Sequence, residues 1–287
     1  MIAEEFQLPV AGHIGKLLLE SGKINPQQAE QILLLQKERS LRFGEAAILL
    51  GFIDEGDIQQ ALAAQFAYPY LLPGEGGLDP ALVAAYKPFQ PQVEALRSLR
   101  SQLLLRWMSV GQKCIALVEP EAGQGASLTA ANLAIVFSQL GERTLLIDAN
   151  LRQPRQHALF GLNNRLGLSD LLAGRADLAA IQRVDKLRDL SVLTAGTQAP
   201  NPQELLSRDG FGALLTTFQL HYDVILLDAH PAHGAADAQL IAARAHGVVL
   251  VGQQHRTSLK SLQRSRDQLN TAGAQVLGVV LTTGDRM

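Results

Sequence analysis

Six short runs of continuous, largely apolar residues constrain this chain more than any other feature: Cys114 to Val118, Thr144 to Ile147, Leu190 to Thr194, Val224 to Leu227, Val248 to Val251 and Val276 to Leu281. A strand that is apolar on both faces has to be covered on both faces. Stretches of helical length, such as Ser127 to Leu140, lie between the runs. The alternation predicts an α/β domain over residues 89–287, with a parallel sheet flanked by helices. Asn201-Pro202 reads as the cap and first turn of a helix running through Leu205 to Phe218.

Upstream the pattern changes. Leu71 to Pro80 holds two prolines and three glycines in ten residues, the composition of a punctuated linker, which we place over residues 73–88. Before it, residues 1–72 contain a tandem repeat. An offset of 29 residues lays His13 to Gln36 on Arg42 to Gln65, with identities at Gly15/Gly44, Gly22/Gly51, Ile24/Ile53, Gln31/Gln60, Leu33/Leu62 and Gln36/Gln65. Gly22 and Gly51 are suited to end a first helix in a left-handed residue, and Asn25 and Asp54 are suited to cap a second. Pro26 stands at a first helical position. Each copy is predicted as a helix-turn-helix too small to bury its apolar face alone, so a small, mainly helical domain precedes the sheet.

Charge separates the two halves. The 287 residues carry a formal net charge of −2, but residues 1–90 hold 11 acidic against 6 basic side chains and the remainder 16 against 19. Neither half has the bulk positive charge that would hold nucleic acid by field alone. Arg97, Arg100 and Arg106 with Trp107 read as a helix face making subunit contacts. Ser258, Lys260, Arg264 and Arg266 read as a solvated face. The single cysteine, Cys114, excludes an internal disulfide. With no apolar stretch near the length of a membrane helix and no basic-plus-apolar leader, a cytoplasmic protein is expected, brought to a membrane only by a partner.

Three segments carry chemistry. The first run leads into Glu119-Pro120-Glu121-Ala122-Gly123-Gln124-Gly125-Ala126-Ser127 and then a helix. Glycines at such a strand-to-helix turn let backbone N–H groups wrap an anion, and Ser127 stands where a hydroxyl would meet Mg²⁺. Two acidic strand ends follow, Asp148 in Ile147-Asp148-Ala149-Asn150-Leu151-Arg152 and Asp228 in Leu227-Asp228-Ala229-His230-Pro231. Carboxylates at the carboxyl ends of adjacent parallel strands converge on the ligand crevice and suit a hydrated Mg²⁺. Asp228, His230 and His233 form a weaker alternative as a metal cluster. Upstream, Glu94, Arg97 and Arg100 fall at i, i+3 and i+6 of one helix.

The second domain resembles the bacterial tyrosine kinases of capsule and exopolysaccharide export, with Gly123, Gln124, Gly125, Ala126 and Ser127 as Walker A, Asp148 to Arg152 as Walker A′ and Asp228 to Pro231 as Walker B. Glu94, Arg97 and Arg100 match the E-x-x-R-x-x-R helix those kinases use to assemble rings. The whole arrangement is similar to the EpsG type associated with chain-length determinants. The resemblance implies ATP or ADP with Mg²⁺ on Ser127, Asp148 and Asp228, catalytic roles for the two aspartates, Arg152 near the phosphates, homo-oligomers and a membrane chain-length-determinant partner at the inner membrane face. Both repeat copies are similar to the motif of the MshE N-terminal domain, a family that binds cyclic di-GMP. His13, Ile14 and Gly15 of one copy, and Arg42, Phe43 and Gly44 of the other, then stand at the dinucleotide.

The sequence departs from an active kinase in identifiable places. Ala126 replaces the lysine that bridges the β- and γ-phosphates, Asn150 replaces a second Walker A′ carboxylate, and Thr282 stands where an Asn is common. Of the tyrosines, Tyr68, Tyr70, Tyr86 and Tyr222, none belongs to a tyrosine-rich tail. A catalytically degenerate regulatory component is therefore the leading expectation. An active tyrosine kinase, with Arg152 or an arginine from a neighbouring subunit replacing the lysine, is a first alternative, and a nucleotide-independent oligomeric scaffold a second. A MinD- or ParA-type switch ATPase would need a lysine where Glu121 stands.

Overall fold

The computed structural model describes residues 13–65, 70–71 and 74–284. Residues 1–12, Tyr68 and Pro73, included in the readings above, lie outside the described residues. The chain divides into two compact units, Met1–Pro69 and Tyr70–Met287.

The first unit contains α1 (His13–Glu20), α2 (Pro26–Arg39), α3 (Phe43–Leu49) and α4 (Glu55–Gln65). Gly22 and Gly51 adopt φ of +69° and +70°, where a side chain would be strained. Each copy opens its second helix with a reciprocal cap at the amino end. Gln28 N–H donates to Asn25 Oδ1 (2.8 Å) while Asn25 N–H donates to Gln28 Oε1 (2.9 Å). In the other copy Asp57 N–H donates to Asp54 Oδ1 (2.8 Å) and Asp54 N–H to Asp57 Oδ2 (3.1 Å). Buried positions recur at the 29-residue offset, Leu18 with Ala47, Ile24 with Ile53 and Ile32 with Ala61, so the two hairpins share one core.

The second unit opens with α5 (Val83–Tyr86) and α6 (Pro91–Arg106). Strand β1 (Cys114–Val118) feeds α7 (Ala126–Gln139), and β2 (Thr144–Asp148) is followed by the short helices α8 (Gln156–Leu159) and α9 (Leu168–Leu172). The hairpin of β3 (Gln182–Arg183) and β4 (Leu190–Leu193) precedes α10 (Pro202–Ser207) and α11 (Asp209–His221). Strand β5 (Val224–Asp228), α12 (Asp237–Ala245), β6 (Gly247–Gln253), α13 (Leu259–Thr271) and β7 (Gln275–Thr282) complete it. The sheet order is β3-β4-β2-β5-β1-β6-β7, parallel throughout except for β3. The pleat sends alternate side chains into two cores. Ile115, Leu117, Leu146, Val224 and Leu226 pack with α6 and α7, whereas Ala116, Val118, Leu145, Ile147, Ile225 and Leu227 face the other layer with Phe211, Phe218 and Ile241.

Two expectations are corrected. The helix predicted through Leu205 to Phe218 is broken at Arg208, which is extended (φ −66°, ψ 146°) between α10 and α11. Leu206 and Phe211 are both buried, and an unbroken helix would set them about 140° apart around its axis. Arg244 Nη2 donates to the freed Ser207 carbonyl (2.8 Å).

Of the segment 73–88, expected as a linker, residues 74–88 form instead a strap packed on α7. Leu78, Leu82, Val83, Ala84 and Ala85 are core residues. Asn132 clasps the strap: its Oδ1 accepts from Ala84 N–H (2.9 Å) and its Nδ2 donates to the Ala81 carbonyl (3.3 Å). Gln139 Nε2 donates to the Ala84 carbonyl (2.8 Å), and Tyr86 OH donates to the Glu75 carbonyl (2.7 Å). The glycines serve tight turns, since Gly74, Gly76 and Gly77 all have positive φ. Removing the clasp orphans a buried amide, so Asn132→Ala should lower unfolding stability by about 2–3 kcal/mol while leaving the far-ultraviolet circular dichroism unchanged, measured by urea denaturation.

Candidate active site

The strand order places the chemistry. Helix α7 leaves the carboxyl end of β1, which lies between β5 and β6, and β2 lies beyond β5, so the loop 119–125 and the ends of β2 and β5 meet at one edge of the sheet. Asp148 and Asp228 are direct partners in the β2–β5 register. Gly123 and Gly125 take φ of +84° and +99°, shaping a turn in which successive N–H groups point inward. Three of those groups find a partner within the chain: the buried Glu119 carboxylate accepts from Gly123 N–H (2.8 Å), Gln124 N–H (2.8 Å) and Ala126 N–H (3.1 Å). The far side of the loop is anchored by Thr282, whose hydroxyl donates to the Gln124 carbonyl (3.0 Å).

The two aspartates are fully buried and held by residues after β2. Asp148 Oδ2 accepts from Arg155 N–H and Gln156 N–H (2.9 Å each). Gln156 Nε2 donates to Asp228 Oδ2 (2.7 Å) and to the Ser127 carbonyl (3.0 Å). Burial, and next the neighbouring Asp228 charge, push the Asp148 carboxyl well above the ordinary carboxylate range, against backbone hydrogen bonds from Gln156, Arg155 and Asn150. Burial also raises Asp228, to about 6, although hydrogen bonds from Gln156 and Ser127 pull the other way and the Glu119 charge adds to the rise. Asp148 Oδ1 and Asp228 Oδ1 remain buried without a hydrogen-bond partner. Two orphaned carboxylate oxygens beside a serine hydroxyl form a hard, all-oxygen donor set that fits Mg²⁺.

The remaining expected residues are placed as follows. Ala126, only 2% exposed, extends no polar group into the loop. Arg152 is committed elsewhere: its Nε and Nη2 donate to Asp237 (2.7 and 3.2 Å). The guanidinium that does touch the loop belongs to Arg256, which donates to the Gly123 carbonyl (3.2 Å). Glu119, Gln156 and Arg256 were missed in the sequence. Only Glu119 left a signal there, as an acid one residue past a strand and a few before the glycines. His230 Nδ1 lies 2.9 Å from its neighbour's carbonyl and His233 faces Glu121 and Ser265, so they do not converge with Asp228. Among the described residues no cluster of three metal-ligating side chains occurs. Cys114 is buried, its thiol pushed up to about 11 by that burial.

The expected assembly helix is α6. Glu94 is 68% exposed, Arg97 is 15% exposed and hydrogen-bonded to it (3.1 Å), and Arg100 is turned inward, 8% exposed, donating to the Val136 carbonyl at 2.6 Å. The three therefore do not form one solvent-facing stripe, and Arg100 ties α6 to α7. In the first unit, His13 starts α1, Ile14 is half-buried, and Gly15, Phe43 and Gly44 are buried. Arg42 precedes α3 with its side chain exposed, its own N–H donating to Glu45 (2.8 Å). A Cβ at Gly44 would lie 2.6 Å from Ile58 Cδ1, so that glycine lets α3 pack on α4.

The paired aspartates give a pH dependence of definite sign. Both carboxyls hold protons more tightly folded than unfolded, so without divalent cation the native state loses stability as pH rises from about 4 to about 7. Added Mg²⁺ should recover that stability at about pH 7 and have little effect near pH 4. Asp148→Asn should flatten both responses, read by thermal unfolding.

No protein-family model matches the chain. Over 204 residues it is 37% identical to a putative tyrosine-protein kinase EpsB of Ralstonia solanacearum, covering 71% of this chain and 27% of that protein. The chain thus spans about a quarter of the length of that relative. It is 32% identical to a putative tyrosine-protein kinase CapB of Staphylococcus aureus over 68% of this chain and 86% of that one. The solved kinase domain of the Escherichia coli tyrosine kinase ETK superposes with a TM-score of 0.68 at 32% identity, covering 70% of this chain and 79% of that domain. With the parallel sheet, the glycine loop and the paired strand-end aspartates in place, the chain belongs to the bacterial tyrosine-protein kinases.

Proposed function

We propose that the chain is a regulatory, kinase-fold component of exopolysaccharide or capsule synthesis and export. It docks on the cytoplasmic face of a membrane chain-length determinant, self-associates with Glu94 and Arg97 of α6 at the contact, and works without phosphoryl transfer. The observation that carries this reading is the charge of the phosphate loop. Transfer concentrates negative charge on the oxygens of the moving phosphoryl group, which a lysine in the loop offsets. Here that position is the buried Ala126, Arg152 is occupied by Asp237, and the loop amides face the Glu119 carboxylate. Losing one preorganised charge-stabilising group from such a site costs about 3–4 kcal/mol of barrier, or two to three decades in rate.

The first unit serves as the input. Two hairpins related by a repeat match a ligand that is itself two-fold, and Arg42 offers a permanently charged fork to a guanine or phosphate of cyclic di-GMP. The copy beginning His13, Ile14, Gly15 is the weaker half-site, because histidine is mostly neutral at pH 7.

A second reading, an active ATP-dependent protein tyrosine kinase, is favoured by the orphaned oxygens of Asp148 and Asp228 beside Ser127. One assay separates the two. Full-length protein with Mg-ATP should release phosphate no faster than a blank, and turnover that vanishes in Asp148→Ala would establish the enzyme instead. Isothermal titration with cyclic di-GMP should give a saturable heat that weakens about 10- to 100-fold in Arg42→Ala. No heat at about 50 µM protein, a concentration suited to micromolar affinities, would remove the sensor role.

A further inference from the structure

The loop between β1 and α7 has the form of an anion cradle whose anion comes from the chain itself. Glu119 is the first residue after β1, and its two carboxylate oxygens take the N–H groups of Gly123, Gln124 and Ala126 at 2.8, 2.8 and 3.1 Å. These amides belong to left-handed glycine turns opening a 14-residue helix, the arrangement that binds phosphate oxygens elsewhere. Gln124, 1% exposed, keeps both polar atoms of its side-chain amide without a partner at the same turn, a pair of buried groups that the carboxylate leaves unused. With Ala126 in the loop, no lysine competes for Glu119 and draws it out.

We propose that Glu119 is a tethered plug: the cradle is an oxyanion site of the pyrophosphate class, and it admits phosphate only when this carboxylate swings away. The proposal rests on reading 119–127 as a phosphate loop and adds what controls it. A carboxylate attached a few residues from the amides competes at high effective concentration. A site open in about 1% of molecules binds its ligand about 100-fold more weakly than the open form does. A phosphate group needs the same three N–H groups that a seated Glu119 occupies and would meet its charge there, so plug and ligand exclude one another.

The test uses full-length protein and inorganic pyrophosphate without divalent cation. Wild type should show no thermal shift, whereas Glu119→Ala should bind at least about tenfold more tightly and melt several degrees higher with the ligand. The backbone amide resonances of Gly123, Gln124 and Ala126 should move in that variant on titration. Glu119→Gln, which keeps the side-chain shape and loses the charge, should fall between the two, and it carries the same test if Glu119→Ala does not fold. Wild type binding as tightly as the variants would overturn the plug. So would folded variants that bind nothing, or binding that leaves those three amides unmoved. Those outcomes leave the absence of phosphoryl transfer standing, because that claim is read from Mg-ATP turnover alone.

Discussion

Helix α7 has almost no solvent-facing side, and that burial decides what surrounds it. Twelve of its fourteen residues are buried. Ala130 and Ala134, on the side opposite Asn132, belong to the core that the helix shares with the sheet. The side away from the sheet needs a cover, which the strap and α6 supply through Asn132, Gln139 and the Arg100 bond to the Val136 carbonyl. The amino end of the same helix carries the glycine loop. One buried helix thus joins the sheet, the strap, the α6 face and the phosphate loop into a single rigid arrangement, since close-packed interiors transmit displacement rather than absorb it.

The strands were legible because continuous apolar runs have few alternative fates, and the strand-end aspartates came with them. The strap was not. Proline and glycine in a tight, packed turn have the same composition as in an open linker, and the contact that distinguishes them is made 48 positions away at Asn132. Arg100 was misread for a related reason. Its spacing from Glu94 and Arg97 fixes a helix face only approximately, and six residues along a helix the side chain has rotated from solvent to core. Arg152 could be placed near the site but not assigned a partner, because Asp237 lies 85 positions away.

The electrostatics of the site run against the usual expectation for a phosphate-binding centre. Three carboxylates, Glu119, Asp148 and Asp228, share it, two of them at the ends of neighbouring strands. The cations that would normally balance them are displaced to its edges, Arg152 onto Asp237 and Arg256 onto the outer carbonyl of Gly123. A site with this charge favours a divalent metal and disfavours an unaccompanied anion. Binding of one is then coupled to the other in the sense that linked equilibria require.

The bond from Thr282 to the Gln124 carbonyl makes the loop depend on a distant strand. It spans 158 positions and fixes the loop from a strand remote in sequence. The loop and α7 precede β7 in the chain, so the loop lacks this constraint until that strand docks. Docking of β7 is therefore a condition for the loop to take its final form, as well as a part of the sheet.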